Sequence, residues 1–430
     1  MAATARHPVT LFGAGILAAI AGAWIVLTNW PAPTPVPLPP AAVAPTAREL
    51  PAKQLAAFIE FLRVDAATQG ISRSTFDAAF AGLAADPEVI ELASSQPEYV
   101  KTAAEYLTLL VSDARLDTGR EKLRDTAAVL AAVEAKFGVD RHVVLAIWGI
   151  ESNFGAGMGV RSILRSLVTL AAFDTRRPEF WRNELLAALR MLQAGEAKPT
   201  DLVGSWAGAM GHTQFMPTTY GKHAVDFDQD GRRDIWNSIP DALGSTANYL
   251  KVSGWTTGAP WGFEVRLPDG FDYGLSNPAT TNTWNQWQSL GVKLAQPPRV
   301  SAADTLGGLE LLLPAGAKGP AFLVGDNFRA ILKYNNSISY ALAVGHLADR
   351  LAGGSAFNRP WPAGDRSLGK AERDEVQRRL TMLGFDTGGV DGVIGNGTKA
   401  AIRLFQKTRA LPPDGHADLA LLERLRQEGR

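Results

Sequence analysis

Residues Ala146–Phe154, AIWGIESNF, at the end of the apolar run Val139–Ile150, constrain this chain more than any other stretch. A helix-length run carrying Leu145, Ile147, Trp148 and Ile150 ends on one carboxylate, Glu151, just before the helix-breaking Gly155-Ala156-Gly157. A carboxylate in the last turn faces the negative end of the helix dipole, and apolar neighbours solvate it poorly. Both effects favour its protonated form, the state a general acid needs near neutral pH. The alternative is a solvated Glu at a frayed helix end.

The 430-residue length predicts two or three units. Lys+Arg and Asp+Glu both number 43, so the formal charge is zero and nothing points to nucleic acid. The chain has no cysteine, which removes disulfides, thiol catalysis, Cys-ligated zinc and a lipidated cysteine. The histidines are scattered, without metal-ligand spacing.

Residues 9–28 form an uncharged apolar run preceded by Arg6 and His7. At about 1.5 Å per residue it matches a ~30 Å hydrocarbon core. Ala42-Val43-Ala44 is followed by Pro45, a poor cleavage site, which favours an uncleaved signal anchor over a removed signal peptide. Arg6 then stays in the cytoplasm and the rest is exported. The Pro-rich 31–51 reads as an extended tether.

From Lys53 to about Phe137 apolar residues recur at three- and four-residue steps, predicting helices, with Ser72 or Ser74 and Asp86-Pro87 as starts. Further helices are expected over Ser162–Ala172, Pro178–Leu192 and Pro240–Val252. Arg176 and Arg177 lie between the first two, as solvated loop charges or as holders of an anionic or acetylated ligand. Gly204–Pro217, GSWAGAMGHTQFMP, is either a Gly-rich turn or a wall that lets backbone approach a ligand, with Ser205 and Gln214 supplying hydrogen-bonding groups.

Asp226–Asn237, DFDQDGRRDIWN, has Asp at loop positions 1, 3 and 5 and Gly231 at 6, as in an EF-hand loop. Asn237 at position 12, where Glu is usual, and Arg233 at position 8 predict weakened calcium binding; the alternative is an Asx-rich turn. Short strands are expected at Phe263–Leu267, Leu309–Leu313 and Phe322–Val324, a small β-rich insertion. Helix returns over Asn327–Leu351 around a junction at Tyr334-Asn335-Asn336-Ser337, with Ser337 as N-cap. Residues 352–366 read as a linker. Leu368–Leu425 reads as a compact three-helix module of two half-units, each with an Asp-Gly turn before a helix.

The motifs IESNFG (Ile150–Gly155), GSWAGAMGHTQFMPTTY (Gly204–Tyr220), AVDFDQDG (Ala224–Gly231), ANYLKVSGW (Ala247–Trp255) and KYNNSISYA (Lys333–Ala341) occur in an order that resembles the membrane-bound lytic murein transglycosylase B family. Gln377, Val390–Thr398 and Phe405-Gln406 resemble the peptidoglycan-binding type 1 domain. The resemblance implies a mainly α (α+β) fold: a lysozyme-like helical catalytic domain over 52–351 with the β-rich insertion, and a three-helix peptidoglycan-binding domain over 367–430. Residues 1–30, 31–51 and 352–366 are then anchor or signal peptide, tether and linker.

The same resemblance implies cleavage of the β-1,4 bond between N-acetylmuramic acid and N-acetylglucosamine, with Glu151 as catalytic acid. Its carboxylate then takes the proton of the muramoyl C6 hydroxyl as that oxygen closes on C1, giving a 1,6-anhydro end. The substrate's acetamido group stabilises the cation, so no second carboxylate is required. Ser205, Gln214, Tyr334, Asn335 and Tyr340 match positions lining the site; Tyr106, Arg176, Arg177 and Tyr249 match peripheral groove positions. No cofactor is implied for the chemistry, while Asp226, Asp228 and Asp230 are offered as ligands of a structural Ca2+. Expected partners are peptidoglycan glycan strands and, through residues 9–28, the inner membrane, with the body in the periplasm or cell envelope and no nucleic acid bound. The competing readings are a hydrolytic muramidase and a non-catalytic peptidoglycan-binding scaffold.

Overall fold

The computed structural model describes residues 50–94, 101–277, 280–297 and 308–428. The apolar run 9–28 and most of the 31–51 tether lie outside them. No helix among the described residues is long and apolar enough to cross a membrane.

The chain begins with α1 (Ala52–Thr68), α2 (Arg73–Phe80), α3 (Pro87–Ser94), α4 (Ala103–Leu110), α5 (Asp113–Asp125), α6 (Ala127–Phe137) and α7 (Arg141–Ser152). Ser72 caps α2, its Oγ accepting from the Thr75 amide, and Thr102 with Glu105 closes a capping box on α4. Next come β1 (Arg161–Ser162), α8 (Ile163–Phe173), α9 (Pro178–Gln193), β2 (Val203–Gly204), α10 (Pro217–His223) and α11 (Ile239–Val252). The insertion holds β3 (Gly262–Arg266), a 3-10 turn at Tyr273–Ser276, α12 (Trp284–Ser289), β4 (Lys293–Leu294), β5 (Glu310–Leu312), a second 3-10 turn at Gly316–Lys318 and β6 (Ala321–Val324). Two helices, α13 (Asp326–Tyr334) and α14 (Ile338–Leu351), close the main body; α15 (Lys370–Met382), α16 (Asn396–Thr408) and α17 (Leu419–Glu428) form the C-terminal module.

Helices α7 and α14 pack together at the centre of one apolar core. Val144, Leu145, Ala146, Ile147, Leu342, Val344 and Leu347 are fully enclosed there. A second core gathers around α8 and α9, with Leu167, Leu185, Trp181 and Phe215. Tyr334 packs against both, so the α13–α14 junction lies where the two cores meet.

The end of α7 is bent back sharply. Asn153, Phe154 and Gly155 have φ of 49°, 59° and 90°, three left-handed residues in a row. This conformation costs an L-residue roughly 1–2 kcal/mol, and burial of the Phe154 ring against Trp148 (5.7 Å, edge-on) offsets it. The ring folds over Gly149, where a Cβ would come within 2.6 Å of it.

The insertion is an antiparallel sheet in the order β4-β3-β6-β5, with Gly262 opposite Val324 and Leu312 opposite Phe322. Its own small core contains Trp287, Leu309 and Leu323. The segment read as a linker is tied to the main body: Glu264 on β3 is buried, its carboxylate accepts the amides of Asn358 (2.6 Å) and Arg359 (2.8 Å), and the Phe357 ring stacks on His346 at 3.7 Å.

In the C-terminal module two glutamines do equivalent work. Gln377 Oε1 accepts the amides of Asp391 and Gly392, and Gln406 Oε1 accepts that of Gly415. Their Nε2 groups donate to Asp391 and Asp414 respectively. Each Asp-Gly turn is thereby pinned to the helix of its half-unit, which accounts for the repeat visible in the sequence.

Candidate active site

Glu151 is the second-last residue of α7 and is 3% exposed. Its Oε1 accepts a 2.6 Å hydrogen bond from the Tyr340 hydroxyl on α14. Burial raises the carboxyl to about pH 8, and the Tyr340 bond, which favours the anion, opposes that only in part. The group is therefore protonated at neutral pH. Burial, and secondly the charge of Glu151, push the hydroxyls of Tyr106, Tyr334 and Tyr340 upward, so all three rings surround this carboxyl as neutral phenols.

The wall beside it comes from the Gly-rich segment. Isolated bridges join Gly204 to Met210 and Met210 to Phe215, folding residues 204–215 into a pinned loop. Ser205 Oγ accepts the Ala209 amide at 3.0 Å. Gln214, at φ 52°, donates from Nε2 to the carbonyls of Met158 (3.0 Å) and Gly211 (2.9 Å). Both side chains are nearly buried. Tyr334 donates to the Thr213 carbonyl at 2.6 Å, connecting this loop to the α13–α14 junction.

Asn335 is enclosed completely, yet neither its Oδ1 nor its Nδ2 has a partner among the described residues. The Tyr106 hydroxyl is likewise enclosed and unpartnered. Buried polar atoms without partners are costly and uncommon, and here they lie in the segments that frame Glu151.

The remaining groove candidates are engaged elsewhere. Tyr249 donates to the Lys333 carbonyl (2.5 Å), with its ring edge-on to Tyr334. Arg176 makes a two-pronged pair with Asp174, and Arg177 lies 3.9 Å over the Phe180 ring. The structure thus gives two bonded pairs, Tyr340 on Glu151 and Tyr334 on the Gln214 loop, with the Glu151 charge acting on both phenols. The two arginines are held in the turn between α8 and α9.

The Asp-rich loop is a second centre. Asp226, Asp228, Asp230 and Asp241 present one oxygen each within 4.8 Å of one another. This all-oxygen set suits a hard dication. Asp241, on α11, lies beyond the twelve-residue loop, so the EF-hand pattern does not include it. Its signal was a helix-start position three residues after Ser238, whose Oγ accepts the Asp241 amide. The Asp241 carboxylate accepts the amides of Phe227, Asp228 and Asp234 and so shapes the loop. The Arg233 guanidinium pairs with Glu196 and covers Tyr220. Asn237 donates to Asp234.

Residues 54–349 match the family described as the transglycosylase SLT domain, and residues 369–425 match a peptidoglycan-binding domain. The chain belongs to the lytic murein transglycosylase family. Within that family it is similar to SltB3 of Pseudomonas aeruginosa, solved in complex with NAG-anhNAM-pentapeptide: 50% identity over 86% of this chain and 99% of that one, with a TM-score of 0.83. The Escherichia coli lytic transglycosylase Slt35, solved in complex with calcium, is 29% identical over 70% of this chain and 92% of its own, with a TM-score of 0.57. The membrane-bound lytic murein transglycosylase B of Escherichia coli K12 is 35% identical over 221 residues; the match spans 50% of this chain and 58% of that enzyme.

Proposed function

We propose that this lytic transglycosylase-family protein cleaves the N-acetylmuramic acid to N-acetylglucosamine bond of peptidoglycan and leaves 1,6-anhydromuramoyl ends, with Glu151 as its single acid and base. The observation that carries this reading is the enclosed, protonated carboxyl of Glu151, whose bonded side chain among the described residues is a phenol, Tyr340. Glu151 gives its proton to the glycosidic oxygen as the C1–O bond breaks. The substrate's acetamido oxygen covers the developing positive charge at C1. The C6 hydroxyl then closes on C1, and its proton returns to the Glu151 carboxylate, so the acid is regenerated without water.

Tyr340 holds the carboxyl in position through both steps. Asn335 and Tyr106 offer free polar atoms to the sugar at the heart of the groove. Ser205 and Gln214 form its wall, Tyr334 joins the wall to the junction, and Tyr249, Arg176 and Arg177 stand further out. In the Asp-rich loop, Asp226, Asp228 and Asp230, with Asp241 behind them, would hold a Ca2+ that stiffens the loop. No chemical step passes through it.

For the whole chain, residues 52–351 are assigned to catalysis and 367–430 to wall binding, with 352–366 joining them. Residues 9–28 anchor the protein in the inner membrane, 31–51 span outward, and the body works in the periplasm. Mass spectrometry of digested murein tests the reaction: anhydro-ended muropeptides are expected. Hydrated reducing ends would make the protein a muramidase, and binding of sacculi without soluble products would make it a scaffold.

A further inference from the structure

His212 lies on the loop that carries Gln214, against the helix that carries Glu151, and it bonds to that helix in two ways. Its ring Nδ1 accepts the indole N–H of Trp148 at 3.1 Å, with the rings edge-on at 5.5 Å. Its carbonyl accepts the Ser152 hydroxyl at 2.5 Å, and the Ser152 Oγ in turn accepts the Gly155 amide at 2.9 Å. Trp148 and Ser152 are one turn before and one residue after Glu151. On the other side the His212 amide donates to the Ile235 carbonyl at 3.0 Å, and the neighbouring Thr213 carbonyl holds Tyr334. The fit is close: a Cβ on Gly155 would meet the imidazole at 2.5 Å.

Indole N–H is a donor only, so Nδ1 must be unprotonated for this bond to exist. Protonating the ring sets two N–H donors against each other. We infer that His212 is a positioning residue for Glu151: its neutral ring latches the end of α7 to the Gln214 loop, and protonation opens the latch and lowers the rate. The inference rests on Glu151 being the catalytic acid.

The groups facing the ring from α7 and the following turn are Trp148 and Gly155, neither of them charged. Asp234, beside Ile235, is the charged side chain acting on it, and it favours the imidazolium. Burial outweighs that effect and lowers the ring below its ordinary 6.5. Glu151 is protonated throughout this acidic range, so an acid limb in kcat/KM, which reports the free enzyme, belongs to His212 and not to Glu151.

The test uses the full chain. Nitrogen NMR of the labelled histidines should find His212 with Nδ1 as acceptor and Nε2 protonated at neutral pH. It should titrate below 6.5, and the acid limb of kcat/KM on a soluble glycan should follow that titration. His212→Leu should lower kcat about tenfold with KM little changed. His212→Asn, whose side-chain oxygen can replace Nδ1 as acceptor, should restore most of that loss and flatten the acid limb. A protonated Nδ1 at neutral pH, or an acid limb that is the same in His212→Asn as in the parent, would overturn the inference. If the variants do not fold, a mismatch between the NMR titration and the acid limb of the parent overturns it equally. Activity surviving in Glu151→Gln would instead remove the acid assignment and leave the His212 tautomer as found.

Discussion

Glu151 is kept protonated by enclosure, and that has a consequence for stability as well as for rate. Its folded value is about 8 against an unfolded 4.5, so between those limits the folded state binds a proton that the unfolded chain releases. The stability it confers is complete below pH 4.5 and is lost as pH rises through 8. Glu151→Gln removes this dependence. Thermal melts should find the variant gaining on the parent by several degrees between pH 4.5 and 8, while release of soluble fragments from sacculi disappears. Residual activity within a few-fold of the parent would move the acid elsewhere. Tyr340→Phe removes the 2.6 Å bond that favours the anion. The alkaline limb of kcat/KM should move to higher pH, and the rate should fall on the order of tenfold, equivalent to ~1.4 kcal/mol. A limb that stays in place would mean that Tyr340 does not hold the carboxyl in the working enzyme.

At the scale of elements, the Asp-rich loop is shaped by a residue outside it. Asp241 sits on α11 and collects three loop amides, which arranges Asp226, Asp228 and Asp230 before any cation arrives. Millimolar calcium should therefore raise the melting temperature, since binding to the folded state alone stabilises it. The paired change Asp226→Asn and Asp228→Asn should abolish the shift. A parent protein whose melting temperature ignores calcium would remove the cation from this loop. The helix starts at Ser72 and Ser337 and the paired Asp-Gly turns could be read along the chain because each is a local bargain between a side chain and nearby backbone. Asp241 could not be, because its partners lie seven to fourteen residues away and meet it only when α11 packs.

At the scale of the molecule, the C-terminal module touches the insertion through few polar contacts. Asp414 accepts the Ala317 amide at 2.8 Å, and Arg403 donates to the Ser276 carbonyl at 3.2 Å. The module also has an apolar core of its own, with Val376, Ile402, Phe405 and Leu422. Removing residues 367–430 should consequently weaken co-sedimentation with sacculi while sparing cleavage of short soluble glycans. Loss of both together would mean that the module also supports the groove.

The sequence by itself determined the helical class, the sites of β3, β5 and β6 but not of β1, β2 and β4, and the placement of one carboxylate at the end of an apolar helix. These follow from periodicity, caps and turn residues, which act over a few positions. It also nominated Ser205, Gln214, Tyr334, Asn335 and Tyr340 through motif order, without saying which of them meet. Tertiary structure decided that. Packing α7 against α14 puts Tyr340 on Glu151 across 189 residues of chain. The junction of the two cores encloses Asn335, and His212 ties its own loop to the helix that carries Glu151. Desolvation and cross-chain hydrogen bonds are properties of enclosed space, and only the folded chain creates it.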